Sequence, residues 1–486
     1  MQDNGSDLNT QAPPQVEEVA PEIERPEEIA GSIPPDYPTD IPVYEEKTNK
    51  VGFIIGIIVV FLIIFGLFFW FFLKDRFFPT NPTVKPKTNV SLSYWGLWEE
   101  AEVYQPLIDA YQKENPHVTI TYEKMAPQEY RERLLARSLA NNGPDIFRFH
   151  NSWLPQLQEI VAPIPQGIYT NAQFESTFYP VHAKDLKITD SFYGIPLMID
   201  GSVLIYNDTL LKQAGIQSPP AVWVGDSNDV FSAVSKLTVR DPEGTVITSG
   251  MAIGTATNVS HFGELFSILL LLNGGDLKAL NAPEAVEALQ LYRKFAEDGY
   301  WNESMPNSIT SFIQGKTAMI IAPSWTVLAI KAQNPELSVE VAPVPKGLDN
   351  ASAAISHYWV EGVNRLNPNQ DEAWKFLKYL SEKEQLATMY ELQSRIRPFG
   401  TAYPRKDMAD LAKSNPFLEA VIVQAVGDVY VTLPVVDRTF DDGMNDEILQ
   451  YLENAISATA EGVDYTAALS TAHQGVSKVL ERFAIE

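Results

Sequence analysis

The chain contains no cysteine. Disulfides, thiolate metal sites, a cysteine nucleophile and a lipid-modified cysteine anchor are therefore excluded. Positive charge is scarce as well, with 36 Lys and Arg against 62 Asp and Glu and a net charge of -26. Neutralising phosphates needs clustered cations, so this balance argues against a nucleic-acid partner. There are six histidines and no His-x-x-x-His spacing to put two metal ligands on one helix face. No Gly-x-Ser-x-Gly elbow and no Walker-type phosphate loop occur. The run Asp441-Asp442-Gly443-Met444-Asn445-Asp446-Glu447 departs from the spacing of a calcium loop and reads as an acid-rich helix start. No metal, cofactor or catalytic residue is expected. A carboxylate pair for glycoside hydrolysis has no sequence signature of its own and stays open as an alternative.

What the chain does have is one long apolar run. Val51 to Leu73 carries no charge over 23 residues, enough to cross about 30 Å of hydrocarbon as a helix. The long acidic segment before it, and the lack of a small-x-small cleavage site after it, distinguish it from a cleaved signal peptide. We expect a membrane anchor at residues 51–73. Residues 1–50 are rich in Pro and Glu, with twelve acids and three bases, and cannot bury enough apolar surface to offset their ordering entropy; a disordered acidic tail is expected. Pro79, Pro82 and Pro86 stiffen a juxtamembrane linker at 74–88. Lys74, Arg76, Lys85 and Lys87 follow the apolar run, and Lys47 and Lys50 precede it. Those charges weakly favour a cytoplasmic C-terminal part, although long domains are translocated largely regardless of them.

Residues 89–486 alternate strand-like and helix-like segments without a fixed-period repeat, which points to an α/β domain. Val90 to Trp95 alternates as a strand. Val103, Leu107 and Tyr111 follow at helical spacing, with the regular helix expected to start close to Pro106. Val118 to Tyr122 is a second strand, and Tyr130, Leu134 and Ser138 share a helix face before Gly143-Pro144-Asp145. Further on, Val203 to Tyr206 is a buried-strand run, Asn207 caps a helix, and Gly215 ends it.

The stretch Tyr193 to Trp223, YGIPLMIDGSVLIYNDTLLKQAGIQSPPAVW, resembles the crossing between lobes in the extracellular solute-binding proteins of ABC importers, in the maltose and oligosaccharide-binding family. Gly143-Pro144-Asp145-Ile146-Phe147, Phe312-Ile313-Gln314-Gly315-Lys316-Thr317-Ala318-Met319 with Pro323-Ser324-Trp325, and Ala373-Trp374-Lys375-Phe376-Leu377 are similar to further motifs of that family. The resemblance covers residues 89–486 and implies a two-lobe periplasmic-binding-protein-like fold of type II with hinge crossings. One lobe would comprise about 89–199 and 350–398, the other about 200–349 and 399–486.

It further implies a receptor domain outside the cell, monomeric, capturing a small polar solute and delivering it to ABC permease subunits. An oligosaccharide is the expected solute, with other small polar compounds as alternatives. A sensor signalling through the membrane helix to a partner of the acidic tail is a second reading, and an enzyme on the same scaffold a third.

Sugars present apolar faces and a rim of hydroxyls, so their sites pair aromatic surfaces with a few polar groups. Strand ends at the lobe crossings supply such residues here. Asp200 and Trp325 match ligand-contacting positions of the family; the alternatives are a turn cap beside Gly201 and a core tryptophan. Asn151, in a His150-Asn151-Ser152 triplet that departs from the family's His-Asp-Arg, is a candidate, as are Trp98, Trp153, Tyr358 and Glu99.

Overall fold

The computed structural model describes residues 50–77, 88–436 and 443–485. The acidic tail expected over 1–50 lies outside them except for Lys50, as do most of the linker and Asp441 and Asp442. The chain divides into two units, Met1–Lys85 and Pro86–Glu486.

In the first unit Lys50–Phe77 is one continuous helix, about 42 Å long at 1.5 Å per residue. Its segment Ile54–Phe72 is the one helix among the described residues long and apolar enough to cross a membrane.

The second unit is built on two five-stranded sheets. The first has the spatial order Val118–Lys124, Val90–Gly96, Ile146–His150, Trp359–Val363, Ile195–Pro196. Its first three strands are parallel, each pair joined through a helix, as parallel pairing requires. Trp359–Val363 returns from far along the chain and pairs antiparallel with both of its neighbours. The second sheet runs Val339–Ala342, Ser202–Asn207, Thr317–Pro323, Val246–Met251, Val239–Arg240. Thr317–Pro323 is buried at every position, as a strand covered on both faces should be.

The helix expected near Pro106 begins earlier, at Ala101, and runs to Glu114 with Pro106 inside it. Val103, Tyr104, Leu107, Ile108 and Tyr111 are all buried along one stripe. Burying such a stripe outweighs the one intrahelical hydrogen bond that proline removes. Tyr130–Leu139 buries Tyr130, Leu134 and Ser138 as their spacing predicts. Asn207 caps Asp208–Gln213 by accepting the Leu210 N–H at 3.2 Å, and Gly215 follows at φ 75°. The Gly-Pro-Asp element fixes the first sheet: Asp145 Oδ2 accepts both the N–H and the hydroxyl of Ser93.

Between the sheets the chain passes several times through one small region. Ala354–Ile355 pairs with Tyr430–Val431, and isolated bridges join Gly201 to Ser356 and Ile199 to Ala402. Gly201 has to be glycine, because a Cβ there would lie 2.1 Å from the Tyr430 ring and 2.7 Å from the Ile355 carbonyl.

Candidate functional site

The crossing region, both sheets and the segment 397–402 enclose a cavity of about 230 Å³. Trp98, Glu99, Asp200 and Trp325 line it, together with Arg148, His150, His357, Trp359 and Phe399.

Trp98 and Glu99 follow the Val90–Gly96 strand in a tight turn. The Glu99 N–H donates to the Leu97 carbonyl at 2.8 Å, and Trp98, between them, sits at φ 69°. A non-glycine residue at positive φ in a three-residue turn is strained, by about 1–3 kcal/mol. The turn leaves the Trp98 indole 43% exposed while Glu99 is only 4% exposed. Glu99 Oε1 accepts hydrogen bonds from Gln393 Nε2 and Arg397 Nη2, each at 3.0 Å. Its other oxygen, Oε2, is buried and has no hydrogen-bond partner among the described residues.

The floor of the cavity comes from two antiparallel strands in register. His150 lies opposite Trp359, and Arg148 opposite Glu361. Residues two apart on a strand share a face, so Arg148 and His150 point the same way, as do Trp359 and Glu361. Arg148 and Glu361 form a buried ion pair, Nε to Oε1 at 2.7 Å. The Trp98 and Trp359 rings stand 5.8 Å apart with their planes inclined by 55°.

Asp200, 3% exposed, lies at the first crossing. Its Oδ1 accepts the Gly201 N–H at 2.7 Å and the Ser324 N–H at 3.1 Å, and its Oδ2 accepts the Trp325 N–H at 3.2 Å. Burial pushes its carboxyl up to about 6, against the lowering effect of those backbone donors. Trp325 opens the Thr326–Gln333 helix and keeps 39% of its surface exposed at the cavity.

The other three candidates do not reach the cavity. Tyr358 is one residue from Trp359 and so faces the opposite side of its strand; its hydroxyl donates to Asp185 at 2.6 Å and its ring meets His182 edge-on at 4.4 Å. Asn151 spends its amide on Asp185, Ser356 and Thr432, at 3.2, 3.1 and 2.8 Å. Trp153 is 1% exposed, packed against Trp359 and beneath Arg131. At two of these strand ends the cavity is lined by the sequence neighbour of the candidate, His150 beside Asn151 and Trp359 beside Tyr358. Alternation from His150 and Trp359 was the signal that would have selected Arg148, His150 and Trp359. Asp185, whose carboxyl burial pushes up to about 6, gathers Tyr358, Asn151 and Thr432 away from the cavity.

The acidic run has a structural role in its described part. It forms the first turn of Met444–Ala460, where Asp446 pairs with Arg131 at 3.4 Å and Glu447 accepts from Arg482 Nη2 at 2.5 Å. Among the described residues no three His, Asp or Glu side chains converge as a metal site would require.

The family profile described as bacterial extracellular solute-binding protein matches residues 106–418. The maltodextrin-binding protein MdxE of Bacillus subtilis (strain 168) is 27% identical over 350 residues, covering 66% of this chain and 76% of that protein. A galactooligosaccharide-binding protein of the same organism is 24% identical over 320 residues, covering 61% and 70%. In fold, the chain is similar to a cyclo/maltodextrin-binding protein complexed with maltotetraose, with a TM-score of 0.66 at 19% identity, over 82% of this chain and 99% of that one. The sugar-binding protein MalE from Xanthomonas citri gives 0.65 at 19% identity, over 81% and 98%. With two α/β lobes around a cavity at their crossings, and a family match over more than half its length, the chain belongs to the bacterial extracellular solute-binding proteins.

Proposed function

We infer that this protein captures a neutral, hydroxyl-bearing solute, an oligosaccharide, between its lobes and delivers it to the permease subunits of an ABC importer. The observation that carries the reading is the charge balance of the cavity wall. Arg397 is paired with Glu99, and Arg148 with Glu361. Asp200 is occupied by three backbone donors. Each arginine is paired with a carboxylate and Asp200 is held by backbone donors, so the wall carries little unbalanced charge for a phosphate ester or a polyamine to recognise. Trp98, Trp359 and Trp325 provide the flat apolar surface that sugar rings stack on, and Glu99 Oε2 beside them is a buried acceptor without a hydrogen-bond partner among the described residues. The names of the relatives, maltodextrin and galactooligosaccharide binders, point the same way.

In this reading the chain is a receptor and carries out no chemistry on its ligand. The Ile54–Phe72 helix tethers it to the membrane with the solute-binding domain outside, supplying the confinement near the transporter that a lipid anchor otherwise gives. Crossings near 200 and 350 act as hinges for lobe closure.

Calorimetric titration of the full-length protein in nanodiscs tests this, using maltodextrins, galacto-oligosaccharides, a polyamine and a phosphate ester. A sugar should bind, and Trp325→Ala should weaken it by about tenfold or more, as loss of an aromatic anchor does. Binding of the polyamine or the phosphate ester with no response to any sugar would overturn the reading.

A further inference from the structure

We propose that the buried Arg148–Glu361 pair is a positioning pair, which holds the strained Trp98 turn and so sets the Trp98 indole and Glu99 Oε2 on the cavity wall. The inference rests on this cavity being the ligand site proposed above.

Strand register brings the two residues opposite one another, with 4% and 0% of their side chains exposed. A buried ion pair is weak evidence for stability, since apolar residues of similar volume often do as well. Glu361 makes the point sharper, because its Oε2 is buried with no hydrogen-bond partner among the described residues. The arrangement is better explained by where the guanidinium reaches. Beyond Glu361, Arg148 donates through Nη1 to the Leu97 carbonyl at 3.1 Å and through Nη2 to the Tyr104 hydroxyl.

The Leu97 carbonyl also receives the Glu99 N–H and thereby closes the turn around Trp98. Two donors therefore converge on the one acceptor that defines that turn. A second clamp acts on its far side, where the Tyr122 hydroxyl donates to the Glu99 carbonyl at 2.8 Å. Trp98 itself supplies little hold, being 43% exposed. Glu361 orients the guanidinium, the guanidinium fixes Leu97, and the turn then presents the platform and the acceptor together. The guanidinium reaches its three acceptors from three separate nitrogens fixed in one plane, whereas a lysine has to serve them from a single nitrogen.

The test uses full-length protein in nanodiscs with two variants, Arg148→Lys and the charge-free double variant Arg148→Met with Glu361→Leu. Either should fold, the first because it keeps the charge pair and the second because it removes both charges. Two quantities are read: hydrogen exchange of the Glu99 amide, by mass spectrometry of peptides spanning 95–101, and affinity for maltotetraose and galacto-oligosaccharides. Amide exchange should quicken in a folded variant, and affinity for whichever sugar binds the wild type should fall about tenfold. A folded variant with unchanged Glu99 exchange and unchanged sugar affinity would overturn the proposal. If the wild type binds none of these sugars, the functional reading fails while the exchange measurement still decides the role of the pair: faster exchange upholds the clamp and unchanged exchange rejects it.

Discussion

The Asp200 carboxylate accepts the backbone N–H of Trp325 at 3.2 Å, across 125 positions of sequence. Two residues that sequence reading nominated separately as ligand contacts are thus one unit, in which an acid at the first crossing fixes the start of the helix that presents an indole. Asp200 acts on Trp325 before it acts on any ligand.

Replacing Asp200 with alanine should therefore have two effects. Leaving the buried Ser324 N–H and the part-buried Trp325 N–H without their acceptor costs about 1–3 kcal/mol of stability, and sugar affinity should fall because Trp325 loses its anchor. Trp325→Ala should lower affinity with much less effect on stability, the side chain being 39% exposed. Denaturant titration beside calorimetry separates the two. An Asp200→Ala protein that loses stability and keeps full affinity would reduce Asp200 to a cap.

Asp185 predicts a pH effect of definite sign. Burial raises its folded-state value to about 6, so it contributes stability when protonated, below the ordinary carboxylate range near 4, and loses that contribution as pH rises through 6. His182 beside it works in the opposite direction. Burial lowers it to about 3, so its penalty fades as pH rises towards the unfolded value near 6.5. The two partly cancel in the wild type. Comparing Asp185→Asn with wild type at pH 5 and pH 7.5 isolates the carboxylate. The variant should compare more favourably at pH 7.5 than at pH 5, by about 1 kcal/mol, and a difference independent of pH would reject the assignment.

At Trp98 the backbone, not the side chain, decides which substitution is tolerated. With φ at 69°, Trp98→Gly should be more stable than Trp98→Ala by about 1 kcal/mol, since a Cβ is what makes this conformation costly. Both should weaken sugar binding alike through loss of the indole. Equal midpoints in urea would show that the turn carries no strain.

Gly201→Ala tests the packing of the crossings. Its new methyl would collide with the Tyr430 ring and the Ile355 carbonyl, and overpacking of this kind costs about 1–3 kcal/mol. A thermal midpoint unchanged from wild type would mean that the crossings yield more readily than their contacts imply.

Sequence alone determined the apolar run at 51–73, the α/β alternation and the punctuation at Asn207, Gly215 and Gly143-Pro144-Asp145, because these depend on hydrophobic period and local backbone preference. It also pointed to Trp98, Glu99, Asp200 and Trp325, which line the same cavity. It could not choose between Trp359 and Tyr358, or between His150 and Asn151, since each pair straddles a strand end and only pairing fixes where the strand stops and which side meets the cavity. Nor could it find Arg148–Glu361, separated by 213 positions, or the joining of Asp200 to Trp325. Those contacts exist because distant segments meet in register within one sheet and at one crossing, and only the tertiary structure decides which of them meet.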